Sequence, residues 1–84
     1  MILSDADYEL LERIKGGEQW FQPSSGSQRA RDAFAGVVAR LYDLRDRGLI
    51  EVSRSGATRT KHGEYLVIGP CELTAEGRTA LERH

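Results

Sequence analysis

Four side chains that can carry positive charge lie close together in the second half of the sequence. Arg54, Arg59, Lys61 and His62 fall within residues 52–63, a stretch that contains several hydroxyl side chains and no acidic residue. Cations and hydroxyls on a short segment bind phosphate oxygens, and such contacts weaken as salt is added. We therefore expect this segment to contact phosphates. The alternative is a polar loop that only keeps the protein solvated.

A second set of polar residues lies at the start of the longest helical pattern in the chain. Hydroxyls, an amide and two guanidinium groups occur together here, at Ser24, Ser25, Ser27, Gln28, Arg29 and Arg31. The start of a helix also leaves backbone N–H groups without partners inside the helix, so anions are favoured there. Ser27, Gln28, Arg29 and Arg31 are the second candidate for contact with nucleic acid. A flexible capped loop is the alternative.

No pattern of residues indicates catalysis or a bound metal. His62 lies in a predicted loop and His84 is the last residue, so neither is expected to be held rigidly enough for acid–base catalysis. The sequence has no nucleophile–base pair, no glycine motif for phosphates and no cysteines and histidines at metal-ligand spacing. We expect a protein that is not an enzyme and that uses no cofactor, metal or small-molecule ligand.

The single cysteine, Cys71, cannot form a disulfide within the chain. A lone cysteine favours a reducing compartment. Its position after a proline, at the exit of a predicted strand, is typical of a small buried hydrophobe. A redox sensor is the alternative function for this thiol.

The composition indicates one globular domain over residues 1–84. Hydrophobic residues make up 39% and charged residues 30%, which is ordinary for a compact domain and unlike a disordered chain. The formal net charge of −1 means that any contact with nucleic acid must depend on local clustering of cations. The first residues lack a basic targeting segment and no apolar run is long enough to cross a bilayer, so we expect a cytoplasmic protein.

Apolar spacing and capping residues predict three helices. The first covers residues 4–15, with Ser4 as its N-cap and two following glycines as its stop. The last covers residues 75–83 and begins after Thr74. The longest covers residues 29–47, and its buried stripe is predicted to contain Ala30, Phe34, Val37, Leu41 and Leu44, widened by Val38.

The outward face of the long helix is poorly suited to phosphate contact. Ser25 or Ser27 can cap this helix, and Gly48 ends it. Opposite the buried stripe lie Asp32, Ala35, Gly36, Ala39, Asp43 and Asp46. Carboxylates repel phosphates, small side chains reach few base edges, and the arginines on the helix flanks are expected to pair with these aspartates. Readout of bases along this face is therefore not expected.

Three small residues on that face, Ala35, Gly36 and Ala39, form a smooth patch. A partner helix or a second copy of the chain can pack closely against such a patch, since no bulky side chain keeps the backbones apart. The alternative is close packing inside the monomer.

The rest of the chain predicts a hairpin and one poorly defined segment. Residues 49–54 alternate between apolar and polar as a half-buried strand does, residues 64–68 are a second β-rich run, and a polar loop joins them. Between the first two helices, residues 18–22 allow at most one helical turn because a turn-rich run follows. Trp20 and Phe21 are expected to pack in the core or against the hairpin.

This order of elements resembles the winged helix-turn-helix family. The segments RLYDLRDRGLIEV (residues 40–52) and CELTAEGRTALE (residues 71–82) are similar to the family's passage from its third helix into the first wing strand and to its entry into a C-terminal helix. The resemblance implies an α+β winged-helix fold, a three-helix bundle with a two-stranded hairpin wing followed by a short helix. It also implies a regulator-like DNA-binding protein, with the long helix in the major groove and the wing on the backbone or minor groove.

Winged-helix domains also serve as protein-interaction modules. The second hypothesis is therefore an adaptor or homodimer that uses the patch of Ala35, Gly36 and Ala39 and does not bind DNA.

Overall fold

The computed structural model describes residues 2–52 and 57–84 of the chain. The described residues form a small α+β fold with three helices and two antiparallel two-stranded sheets. The helices are α1 (Asp5–Lys15), α2 (Gln28–Asp46) and α3 (Ala75–Glu82), and the strands are β1 (Ile50–Val52), β2 (Ala57–Arg59), β3 (Tyr65–Ile68) and β4 (Cys71–Leu73). Each predicted helix is confirmed to within one residue at either end.

Capping explains why these bounds were predictable. The Ser4 hydroxyl accepts the amide of Asp7, and the Asp7 carboxylate accepts the amide of Ser4, so the first turn of α1 is closed from both sides. Ser27, and not Ser25, caps α2 by accepting the amide of Ala30. Thr74 caps α3 in the same way, through the amide of Gly77.

One cluster of buried side chains holds the elements together. From α2 it receives Phe34, Val38, Leu41 and Leu44. Val38 is almost fully buried whereas Val37 is only partly buried, so the apolar stripe is rotated slightly towards Val38 relative to the prediction. Gly48, at φ 78°, ends the helix and directs Leu49 and Ile50 into the same core.

The strands of the hairpin pair differently from the prediction. β1 pairs with β4, so that Ile50 faces Leu73 and Val52 faces Cys71. β2, which lies inside the predicted loop, pairs with β3. Predicting residues 64–68 as the partner of the first strand was therefore wrong, because β2 and β4 have three residues each and are too short to show a period of two.

The segment between α1 and α2 contains no helix, and it lies alongside the hairpin instead. Phe21 exchanges both backbone hydrogen bonds with Ile68, each 2.9 Å long, and the amide of Cys71 donates to the carbonyl of Gln19 at 2.8 Å. Pro23 and the serine-rich run behind it disfavour a helix here. The absence of a helix between residues 16 and 27 departs from the helix-turn-helix pattern.

Only one of the two neighbouring aromatic residues enters the core. Phe21 is buried, whereas 55% of Trp20 is exposed and its ring lies against Gly69 of the hairpin. Successive residues on an extended segment point to opposite sides, so both rings cannot be buried in the same core. Phe21 packs in the core and Trp20 packs against the hairpin, which are the two positions that the sequence predicted.

No helix in the described part of the chain is long and apolar enough to cross a membrane.

Candidate nucleic-acid interface

The described part of the predicted hairpin loop lies beside the start of α2 in the structure. Glu64 joins them: its Oε2 lies 3.0 Å from Nε of Arg31, and the side-chain amide of Gln28 donates to the same oxygen at 3.4 Å. The contact with Arg31 is an ion pair without a directed hydrogen bond, since the Nε–H does not point at the oxygen. The start of α2 and residues 60–64, here called the hairpin tip, therefore belong to one surface.

The backbone of the hairpin tip is held in a defined turn. The amide of Thr60 donates to the carbonyl of Glu64 at 2.8 Å, and the amide of Gly63 donates to the carbonyl of Thr60 at 3.0 Å. The Thr60 hydroxyl accepts the amides of both His62 and Glu64. These bonds leave the side chains of Lys61 and His62 exposed at the end of the hairpin.

Arg59 is positioned by an aromatic neighbour that was not predicted. Its guanidinium carbon lies 4.4 Å from the centre of the Tyr65 ring, and the guanidinium donates to the Tyr65 hydroxyl. Thr58 pairs with Val67 and Arg59 with Tyr65, so Leu66 is an extra residue on β3 and 45% of it is exposed. The stacking holds the Arg59 cation close to the tip.

The predicted contact residues differ in how available their polar groups are. Ser27 uses its hydroxyl to cap α2, and Gln28 donates to Asp32 at 2.8 Å as well as to Glu64. Arg29 is exposed and has no charged partner among the described residues. Arg31 is only partly exposed because Glu64 lies against it. Arg54, which was also predicted as a contact residue, lies outside the described residues.

Glu64 itself was missed from the sequence. The stretch without acidic residues, from which the contact with phosphates was predicted, ends at residue 63, one position before this carboxylate. Nothing in the sequence indicates that Glu64 contacts Arg31, because they lie 33 positions apart in the chain and the contact depends on the hairpin folding back over α2.

The other arginines of α2 pair with carboxylates. Arg47, just after the end of α2, lies 3.2 Å from Asp43 one turn earlier, as predicted, whereas Arg45 lies 3.2 Å from the adjacent Asp46. Arg40 instead donates to Asp7 of α1 at 2.9 Å. Burial favours the neutral carboxyl of Asp7, but hydrogen bonds from the Ser4 amide and from Arg40 outweigh that effect and lower the pKa of Asp7. Arg40 therefore has a structural role in joining α1 to α2.

The small-residue patch faces solvent. Ala35, Gly36 and Ala39 are all exposed, and a Cβ added at Gly36 would have nothing within 4 Å. Close packing of this patch inside the monomer is therefore wrong. Beside it, between α1 and α2, lies a shallow groove of about 330 Å³ lined by Ala6, Glu9, Leu10, Arg13, Ala33, Gly36, Val37 and Arg40.

Cys71 lies in β4 and is fully buried. Burial raises the pKa of its thiol to about 11. A thiolate is the reactive form, so this cysteine behaves as the small hydrophobe that the sequence predicted. In the described part of the chain, no group of three or more histidine, cysteine or acidic side chains is arranged to hold a metal ion.

We expect a mild aromatic disulfide reagent at neutral pH to leave Cys71 of the folded protein unmodified, because the thiol is both protonated and inaccessible. The same reagent should modify one thiol per chain in denaturant. Absorbance of the released thiolate measures both rates. Modification of the folded protein as fast as of the unfolded chain would contradict the buried position.

No protein-family model, curated protein sequence or solved structure matches the chain.

Proposed function

We propose that this chain is a winged-helix DNA-binding protein of the transcription-regulator type, which contacts duplex DNA with the start of α2 and with the hairpin tip. The observation that carries the proposal is the contact of Glu64 with Arg31 and Gln28, because it unites two segments that each have phosphate-binding chemistry. The long helix α2 would take the place of the recognition helix and the hairpin that of the wing.

The charges of the combined surface support this assignment. Its cations are Arg29, Arg31, Arg59 and Lys61, with His62 beside them, and its carboxylates are those of Asp32 and Glu64. The four arginine and lysine side chains outnumber these two carboxylates, of which Glu64 is paired with Arg31. A net positive surface on a chain of net charge −1 orients the protein towards a polyanion.

The individual residues then have distinct roles. Lys61 and His62, exposed at the tip, and Arg59, held by Tyr65, contact phosphates. Arg29 is exposed on the first turn of α2 and lies nearest to the base edges, together with Gln28. The aspartates along the middle and end of α2 point away from the core and restrict the contact to the first turns of that helix.

The test is the salt dependence of binding to a fluorescently labelled duplex. We expect the slope of log affinity against log salt to fall by about 2 when Arg59 and Lys61 are both changed to alanine, since each phosphate contact contributes about 0.9. Fluorescence anisotropy at several salt concentrations gives the slope, and a thermal melt of each protein confirms folding.

A matched variant separates local contact from net charge. Changing Arg78 and Arg83 of α3 to alanine removes the same charge from exposed positions outside the proposed interface, and the slope should remain that of the unaltered protein. An unchanged slope in the variant that lacks Arg59 and Lys61 would show that the hairpin does not contact DNA.

A protein-interaction module is the second candidate function, favoured by the solvent-facing patch of Ala35, Gly36 and Ala39. Light scattering coupled to size-exclusion chromatography distinguishes the two. A dimer that is indifferent to DNA supports the interaction module, and a monomer that binds duplex supports the first proposal.

A further inference from the structure

The carboxylate of Glu64 lies inside the surface proposed to meet DNA. Its Oε2 approaches Nε of Arg31 at 3.0 Å and the amide nitrogen of Gln28 at 3.4 Å. Both groups are donors that a DNA phosphate would also use. Glu64 and a phosphate therefore compete for the same two side chains.

We propose that Glu64 is an internal competitor for phosphate: it occupies Arg31 and Gln28 in the free protein, and a DNA phosphate displaces it when the complex forms. This inference rests on the proposed function and adds to it a residue that limits affinity for the nucleic-acid backbone. Contacts with the backbone are independent of sequence, so weakening them reduces binding to non-specific DNA.

The contact has the properties of one that can be displaced. About a third of each side chain in the Arg31–Glu64 pair is exposed, so solvent and salt screen it. The Nε atom of Arg31 is itself buried, and its N–H makes no directed hydrogen bond to the carboxylate, so the pair leaves this donor unsatisfied. By contrast, Asp7 is buried and receives a directed hydrogen bond from Arg40, as a permanent structural pair does.

The turn around Glu64 allows displacement without refolding of the hairpin. Its amide and carbonyl are both bonded to Thr60, at 3.2 and 2.8 Å, so its backbone is fixed. Only the Glu64 side chain has to rotate away from Arg31, and rotation of a partly exposed side chain is fast compared with binding.

The experiment changes Glu64 to glutamine, which keeps the size of the side chain and removes its charge. We expect the Glu64→Gln variant to bind a labelled duplex about fivefold more tightly in about 50 mM salt, because Arg31 no longer has to leave a carboxylate, and with an unchanged salt slope, because Arg31 contacts the phosphate in both complexes. Glu12→Gln, on the exposed side of α1, removes the same charge elsewhere and should change neither quantity.

A double-mutant cycle identifies Arg31 as the group that Glu64 occupies. In a chain that carries Arg31→Gln, the change of Glu64 to glutamine should strengthen binding about twofold or less, because only the general effect of the charge remains. A gain that is undiminished in that background would overturn the inference, as would equal or weaker binding by Glu64→Gln alone. Absence of duplex binding by all of these proteins would overturn the proposed function, and the inference with it.

Discussion

Changing Gly77 to alanine is expected to lower the free energy of unfolding by about 3 kcal/mol, near the upper end of the usual cost of overpacking. Gly77 lies in the first half of α3, where the helix backbone approaches Leu49, the residue before β1, so closely that an added Cβ would collide with the Leu49 carbonyl oxygen. That oxygen belongs to the main chain and accepts the amide of Thr74, so it cannot move aside alone. The whole of α3 would have to shift.

The matched control is the same substitution at another helical glycine. Gly36 is exposed in the middle of α2, and a Cβ there meets nothing. Gly36→Ala should therefore raise the free energy of unfolding by up to about 1 kcal/mol, because alanine is the better helix former. Urea denaturation followed by circular dichroism measures both values. A Gly77→Ala variant as stable as the unaltered protein would contradict the close approach of α3 to Leu49.

The sequence predicts the helix that contains Gly77 but not the contact that makes this glycine necessary. Thr74 and the residues after it identify the start of α3, since a capping hydroxyl acts on amides two or three positions away. The cost of a Cβ at Gly77 depends on Leu49, which is 28 positions earlier in the chain and arrives there only through the tertiary fold. Local signals predict where a helix begins and give no information about what it packs against.

The same distinction applies to the hairpin and the candidate interface. The chemistry of Arg59, Lys61 and Arg29 is readable from residue type, and their exposure agrees with the predicted polar surface. The pairing of β1 with β4 and the contact of Glu64 with Arg31 are not readable in this way. Both depend on register, and a three-residue strand carries too little pattern to determine its partner.

Phe21 lies in the extended segment between α1 and α2, and this segment determines where the hairpin tip lies. Phe21 is bonded to Ile68 through the backbone, and its ring is buried in the core beneath the guanidinium of Arg13, whose Cζ lies 4.8 Å from the ring centre. Because Ile68 ends β3, this segment anchors the strand that leads directly from the tip. Phe21 therefore fixes the hairpin relative to the helices, and Trp20 covers its outer side at Gly69.

We accordingly expect Phe21→Ala to lower the free energy of unfolding by about 3–5 kcal/mol, as for other buried aromatic residues, since it leaves a cavity and loosens the hairpin. Trp20→Ala, which removes a larger but mostly exposed ring at the adjacent position, should cost only about 1 kcal/mol. Phe21→Leu retains an apolar side chain in the core and should cost about 1.5 kcal/mol or less. Urea denaturation followed by circular dichroism ranks all three variants, and an equal loss in Trp20→Ala and Phe21→Ala would contradict the opposite burial of the two rings.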